Sequence, residues 1–219
     1  MRLVLLGPPG SGKGTQAKLL CRRLDMLHIS TGDVLRDQVT RQTHLGLLAK
    51  PYMDRGAYAP DPLVIEIVAD LLRQKNYPPC FLFDGFPRTR VQAIALDQML
   101  EQLKQPIDYV VQLLVEDQEI IRRITGRRVC AACGKAYHIL SAPPPASNVC
   151  DACGGEIIQR ADDTEAVIIH RLTVYNATLH ELLGYYQLQG KVRTLSGVGD
   201  INAVNDSILR ILGKEQTPC

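Results

Sequence analysis

The stretch Gly7-Pro8-Pro9-Gly10-Ser11-Gly12-Lys13-Gly14-Thr15 follows directly on the apolar run Leu3-Val4-Leu5-Leu6, and no other feature of the chain constrains its fold so tightly. A buried strand must run into a turn too rich in glycine for helix or strand, and a helix-forming sequence must follow. Glycines let several backbone N–H groups face one anion, Lys13 adds a mobile positive charge, and the helix offers the positive end of its dipole. The spacing Gly7-x4-Gly12-Lys13 fits a phosphate-binding loop, although Gly14 stands where a hydroxyl residue is usual and Thr15 supplies it one position later. The competing reading is a glycine turn without phosphate. Strand before, helix pattern after and lysine in place favour a nucleotide.

The remainder of the chain supports an open parallel sheet. Leu3 to Leu6, Cys80 to Phe83, Tyr109 to Val115 and Val192 to Leu195 are short apolar runs between helix-like segments, and Leu27-His28-Ile29 adds a brief fifth. Helix starts are marked by Asp61-Pro62, a cap before a proline at the first helical position, by the capping-box spacing Thr89-x-x-Gln92, and by Thr164-Glu165. The expected architecture is α/β, a doubly wound parallel five-stranded sheet with two insertions. At 219 residues such a domain buries a core without disulfides or metal. The 25 basic and 23 acidic residues leave a net charge of +2, so a small partner is expected rather than nucleic acid or a membrane surface. The apolar run after Met1-Arg2 is too short for the core of a secretory signal and no run approaches a membrane span, so the expected compartment is the cytoplasm.

Two stretches break the alternation of strands and helices. The first, about Ser30 to Ala59, has helical patterning without a long apolar strand. The second, about Arg127 to Asp163, holds Cys130-x2-Cys133 and Cys150-x2-Cys153, each followed by a glycine, Gly134 or Gly154, that eases a tight turn. It also holds Ala142-Pro143-Pro144-Pro145-Ala146, which bars a helix interior and reads as a surface loop. Four soft thiolates satisfy tetrahedral Zn²⁺ and leave no open position, so the site would be structural and would stiffen a thin flap. Two disulfides or free thiols are the competing readings, and iron could occupy the same four sulfurs; without a secretory pattern metal is preferred over disulfides. Three further cysteines, Cys21, Cys80 and Cys219, are scattered. His138 reads as structural, because the shell is already full.

Arg122, Arg123, Arg127 and Arg128 cluster at the end of an apolar-periodic segment. If that helix continues, Arg123 and Arg127 share a face and close on one phosphate, which a planar guanidinium suits through paired hydrogen bonds. Alone, such a run is a solvated basic face or a nucleic-acid patch; the glycine loop turns the balance towards phosphate. Arg160 and Arg171 flank Asp162-Asp163 beyond the flap, so its closure would bring further arginines to the loop. Asp84 ends the strand Phe81-Leu82-Phe83, where ligands collect in open α/β sheets, and is placed to hold a Mg²⁺ water shell; the alternative is an Asp that caps the next turn.

Beyond the glycine loop stand Ser30-Thr31-Gly32-Asp33-Val34-Leu35-Arg36, Phe83-Asp84-Gly85-Phe86-Pro87-Arg88-Thr89, Gly126-Arg127-Arg128-Val129-Cys130, Arg160-Ala161-Asp162-Asp163 and Gly184-Tyr185-Tyr186. In this order they resemble the adenylate kinase family in its long-lid, zinc-containing form, over almost the whole chain. The resemblance implies a P-loop nucleotide kinase with a core of residues 1–29, 60–125 and 164–219, an AMP-binding insertion of 30–59 and a zinc-binding lid of 126–163, both mobile. It implies that Gly10, Ser11, Gly12, Lys13, Gly14 and Thr15 cradle ATP, that Arg127, Ala136 and Tyr137 cover its base and phosphates, and that Gly199 meets adenine by backbone. Thr31, Arg36, Ala57, Tyr58, Ala59, Gly85, Phe86, Pro87, Arg88, Gln92, Arg160 and Arg171 would hold AMP. Lys13, Arg88, Arg123, Arg160 and Arg171 would share the charge of the moving phosphoryl group, and Cys130, Cys133, Cys150 and Cys153 would hold zinc. The chain departs from the family at Pro51, inside an expected helix that it would kink, and at Ala57, Pro62, Glu181 and Gly199, where a long polar residue, Glu, Pro and Lys are common. None of these removes a phosphate contact.

The implied activity is reversible, Mg²⁺-dependent transfer of the γ-phosphoryl group of ATP to AMP, giving two ADP. A monomer is the default expectation, since no interface stripe is evident, and the balanced charge gives no reason to expect nucleic-acid or membrane partners. The acceptor is an anionic oxygen, so no side chain need remove a proton; catalysis is alignment, charge cancellation and exclusion of water. A kinase for UMP, CMP or GMP is the alternative within the class. Thr31 leans towards AMP, because adenylate kinases present a hydroxyl to the acceptor base there. A GTPase switch lacks its Asn-Lys-x-Asp motif here. A zinc-ribbon binding module would need residues 127–163 to act alone, against the flanking Arg160-Ala161-Asp162-Asp163 and the balanced charge.

Overall fold

The computed structural model describes residues 1–73, 78–146, 148–160 and 163–213; Ala161, Asp162 and Cys219, named above, lie outside them. Strand β1 (Arg2–Leu6) enters the glycine loop and α1 (Lys13–Leu24) starts at its lysine. The reversal between them passes through left-handed backbone at Gly10, φ 79°, and Gly12, φ 91°, which side chains with a Cβ rarely adopt. There follow β2 (Leu27–Ser30), α2 (Thr31–Thr40), α3 (His44–Asp54), α4 (Asp61–Leu72), β3 (Phe81–Asp84), α5 (Arg90–Gln102), β4 (Tyr109–Leu114) and α6 (Asp117–Thr125). The chain ends through β5 (Arg127–Cys130), β6 (Ala136–His138), β7 (Ile157–Ile158), α7 (Glu165–Gln187), β8 (Val192–Ser196) and α8 (Ile201–Ile211).

Five strands pair in parallel in the order β2-β3-β1-β4-β8, as the apolar runs lead one to expect. Alternation along β1 sends Leu3 and Leu5 to one face, under Ala17, Leu20 and Leu24 of α1 and Ile208 of α8. It sends Val4 and Leu6 to the other, under Val64, Ile67 and Val68 of α4, Leu96 and Leu100 of α5 and Tyr186 of α7. Burial on both faces is why these strands read as continuous apolar runs. The sheet is wound in opposite directions on either side of β1, so a crevice opens beyond the carboxyl ends of its central strands, where the glycine loop lies. A separate antiparallel sheet of order β6-β5-β7 is built from the cysteine-bearing stretch.

Local expectations are met unevenly. Asp61 is the first residue of α4, not its cap, and its carboxylate instead accepts from Thr89 Oγ1 at 2.9 Å and Gln92 Nε2 at 2.7 Å. Thr89 caps α5, accepting from Gln92 N at 3.1 Å, but the return half of the box is lost because Gln92 Oε1 accepts from Arg88 N at 2.8 Å. Helix α3 runs through Pro51, which has no N–H for the Leu47 carbonyl four residues back. The helix expected to carry Arg123 and Arg127 on one face stops at Thr125; Gly126 is its C-cap and Arg127 is claimed by β5. The His138 imidazole packs against Gly126, where a Cβ would lie 2.3 Å from Nε2.

Helices α2 and α3 pack at Gly46, where a Cβ would stand 2.2 Å from the Gln38 carbonyl oxygen, and the Thr43 hydroxyl caps α3 by accepting from Gly46 N at 3.1 Å. Gly46→Ala is therefore expected to cost about 1–3 kcal/mol by overpacking, read as a lowered urea midpoint; an unchanged midpoint would refute the close approach.

Candidate functional site

The glycine loop is held from three sides. Lys13 Nζ donates to the carbonyls of Gly7 and Pro8, both at 2.7 Å, so its ammonium rests across the mouth of the loop. Burial pulls it down to about 8, against the attraction of Asp84 and with repulsion from Arg88 and Arg127. Helix α6 buttresses the loop so closely that a Cβ on Gly10 would lie 2.5 Å from Ile124 Cγ1. Arg123, also on α6, donates from Nε to Glu119 Oε1 at 2.7 Å and from Nη1 to Gly197 O at 3.1 Å and Ser11 O at 3.4 Å. One guanidinium thus ties the loop to the turn after β8, where Gly199 is exposed. Neither Glu119 nor Gly197 carries a signal in the sequence. Asp84, at the end of β3, turns Oδ2 towards Gly14, where a Cβ would approach to 3.3 Å, and His28 Nε2 lies 3.5 Å from the same oxygen. Ser11 is buried and Thr15 exposed.

A second pocket adjoins Arg88. Of the residues expected to hold an acceptor, Thr31, Arg36, Ala57, Tyr58, Ala59, Gly85, Arg88, Gln92 and Arg171 line it. Phe86 and Pro87 are buried beneath, Phe86 against Phe83 with ring centroids 5.9 Å apart. The charge of Arg160 reaches Asp33 on α2: burial pushes the Asp33 carboxyl up, but the hydrogen bond and charge of Arg36, the hydrogen bond of Ser30 and the charge of Arg160 together hold it below its ordinary value. Gly32, Leu35, Met53, Gly56 and Val64 complete the lining. Val64 carries the apolar period of its helix, which signals core rather than site, and Gly56 carries no signal at all. Arg88 is fixed by Nε donating to Gly85 O at 2.7 Å and by its guanidinium lying 4.8 Å over the Tyr58 ring. Burial lowers it from the ordinary arginine value; Tyr58 and Asp84 offset this, Arg171 and Arg36 add to it. The Thr31 hydroxyl donates to Gly85 O at 3.0 Å.

The arginine run at the end of α6 disperses. Arg122 pairs with Glu119, Arg128 donates to the carbonyls of Thr125 and Arg127, and Arg127 grips Asp163 with Nε at 2.8 Å from Oδ2 and Nη2 on Oδ1. Asp163 is buried, so that fork pins the two ends of the cysteine-bearing flap together. Within the flap the four sulfurs lie within 4.8 Å of one another, Cys130 and Cys150 buried, Cys133 and Cys153 exposed. Gly134 and Gly154 take the left-handed turns expected after each pair. Tyr137 turns inward: its hydroxyl bonds Cys150 Sγ at 3.1 Å and also Asp151, and chiefly through that hydroxyl the Cys150 thiol is held down at about 6. Ala136 is exposed. His138 Nδ1 accepts from Leu140 N at 3.1 Å and Ser141 N at 3.2 Å, a structural role as expected.

The adenylate kinase family model matches residues 5–191. The adenylate kinase of Methanothrix thermoacetophila is 47% identical over 216 residues, covering 99% of this chain and 100% of that one. That of Citrifermentans bemidjiense is 50% identical over 209 residues, with 95% and 98% covered, and that of Archaeoglobus fulgidus 46% over 214, with 98% and 99%.

Burial of Lys13 has a measurable consequence. Its proton leaves near pH 8 in the folded chain and near the ordinary 10.5 in the unfolded one, so between those values the unfolded chain holds more protons and this group makes stability rise with pH. The upward slope of unfolding free energy across that window should be smaller in Lys13→Met; identical slopes would refute the burial.

Proposed function

We propose a residue-level mechanism from one premise: the chain belongs to the adenylate kinase family, and it transfers a phosphoryl group reversibly between ATP and AMP to give two ADP. One observation supports the division of roles. Arg36, Arg88 and Arg171 line the second pocket and Lys13 lies on the glycine loop, and their charges are felt across the two: Arg36 and Arg171 act on Arg88, Arg88 and Arg127 act on Lys13, and the Asp84 carboxylate acts on both half-buried groups. Like charges at such burial are costly until an anion joins them. Two nucleotides meeting phosphate to phosphate supply that anion.

On the donor side, Gly10, Ser11, Gly12, Gly14 and Thr15 would cradle ATP, Lys13 exchanging the Gly7 and Pro8 carbonyls for phosphate oxygens. Gly199 would meet the base by backbone. Arg127 would reach the phosphates from its Asp163 anchor, and because the Tyr137 hydroxyl is committed to Cys150, the 136–137 pair would cover ATP through Ala136 and backbone. On the acceptor side, the second pocket would hold AMP, with the buried Phe86 and Pro87 supporting it and Arg160, whose charge acts on Asp33, joining it as the flap closes. Lys13, Arg88, Arg123, Arg160 and Arg171 would share the charge on the transferred group. The acceptor oxygen is already anionic, so alignment and charge cancellation suffice. Residues 30–59 and 126–163 would close over the core made by the rest, excluding water as a rival nucleophile.

Mg²⁺ travels with ATP in this family and cancels phosphate charge; Asp84, facing Gly14 and Lys13, fits the role of holding its waters. Zinc suits the four cysteines. Bonds of about 2.3 Å in a tetrahedron place sulfurs about 3.8 Å apart, and Cys130–Cys153 and Cys133–Cys150 stand at 3.5 and 3.6 Å. A closed shell of four thiolates with a tyrosine hydroxyl on one sulfur would stiffen the flap rather than take part in transfer. Four thiolates kept for metal suit a reducing compartment, which supports the cytoplasm. We take the chain as a monomer acting on small nucleotides; no helix among the described residues is long and apolar enough to cross a membrane.

A coupled assay of ADP formation should show AMP well ahead of UMP, CMP and GMP with ATP as donor, and Lys13→Met should lower kcat by about 10²-fold or more with the fold retained. Failure to phosphorylate AMP would refute the function, and full activity in the variant would refute the role of Lys13. Reduced, natively purified protein should carry one zinc per chain, and removing it with a chelator should lower the thermal midpoint. Protein free of metal would refute the structural site while leaving the kinase intact.

A further inference from the structure

Gln92 is 1% exposed, yet it forms part of the wall of the second pocket. Both ends of its amide are engaged: Nε2 donates to Asp61 Oδ1 at 2.7 Å, and Oε1 accepts from Arg88 N at 2.8 Å. The other oxygen of Asp61 accepts from Thr89 Oγ1 at 2.9 Å, and that hydroxyl in turn accepts from Gln92 N at 3.1 Å, so its single proton points at Asp61. A carboxylate only accepts and a backbone N–H only donates. Turning the amide over would set its oxygen against the carboxylate and its NH₂ against the N–H of Arg88. Two bonds would become two repulsions in a place that water does not relieve. The donor and acceptor ends of Gln92 are therefore fixed, and beyond these bonds the amide has one further N–H and one further lone pair.

We propose that Asp61 is a specificity-determining positioning residue, which locks the polarity of Gln92 so that the pocket takes a 6-amino purine and rejects a 6-oxo purine. A 6-amino purine presents a donor at C6 beside an acceptor at N1. A 6-oxo purine, as in IMP or GMP, presents the reverse: an acceptor at C6 beside N1–H. A glutamine free to turn would satisfy either edge. A locked one faces the wrong edge donor to donor and acceptor to acceptor, and such unpaired polar groups are what give large discrimination. The inference rests on the second pocket being the acceptor site.

The test is kcat/KM for AMP and for IMP at saturating ATP, on the full chain and on Asp61→Leu, Asp61→Asn and Arg36→Met. Asp61→Leu should lower the AMP-to-IMP ratio by at least about 10-fold, mainly through a gain with IMP, since turning the amide then meets one repulsion, at Arg88 N, instead of two. Asp61→Asn, which offers either an oxygen or an NH₂ to Gln92, should lower the ratio in the same direction by less, and it decides the matter if the leucine variant does not fold. KM for ATP should be unchanged in both, which a general loss of structure would not leave so. An unchanged AMP-to-IMP ratio in the folded variants overturns the lock. Arg36→Met separates the two ideas: a raised KM for AMP with an unchanged ratio upholds the acceptor site, and an unchanged KM refutes that reading itself.

Discussion

The crowding of half-buried cations around the carboxylate of Asp84 is the constraint around which this molecule is arranged. Lys13 and Arg88 lie close enough for the charge of Arg88 to lower the proton affinity of Lys13, with Arg127 pressing on the first and Arg171 and Arg36 on the second. Such a set persists only if each member is tied to something fixed while substrates are absent. The ties are visible: Lys13 on the Gly7 and Pro8 carbonyls, Arg88 on Gly85 and the Tyr58 ring, Arg123 on Glu119 and Gly197, Arg127 on Asp163. Several of these partners are neutral carbonyls or a π face, which hold a guanidinium in place without cancelling its charge. The charge remains available to a phosphate.

The fold serves that arrangement by bringing distant segments together. The carboxyl ends of β1 and β3 carry the glycine loop and Asp84, α6 props the loop through Ile124, and α5 brings Gln92 beside the pocket next to Arg88. Hydrophobic faces on both sides of the sheet make this scaffold stiff, since its central strands are packed above and below. The antiparallel flap has a small core of its own, in which Tyr137 and Ile157 pack with two of the four cysteines. A metal is the natural reinforcement for a unit that buries so little.

Expectation and structure part company where a residue's partner is remote in the chain. Asp61 before Pro62 has the look of a local cap; its partners are Thr89 and Gln92, far along the chain, because α4 and α5 pack side by side. The arginine run after Glu119 has the look of one phosphate clamp. Instead Gly126 ends α6, β5 takes the chain into the flap, and Arg123 and Arg127 face different partners. The Tyr137 hydroxyl, too, finds its partners, Cys150 and Asp151, well along the chain.

What the sequence determined by itself is everything encoded in short spacing: the strand, glycine loop and helix, the apolar strands, the paired cysteines and the glycines after them, and the roster of basic residues. Those features depend on backbone conformation and on neighbours a few residues away, so they survive being read one segment at a time. Which cation faces which carbonyl, where α6 stops, and which end of Gln92 is a donor were decided by the tertiary structure alone. Each depends on a hydrogen-bond partner whose proximity comes only from packing helices on a sheet, and hydrogen bonds of fixed polarity are won or lost within a fraction of an ångström.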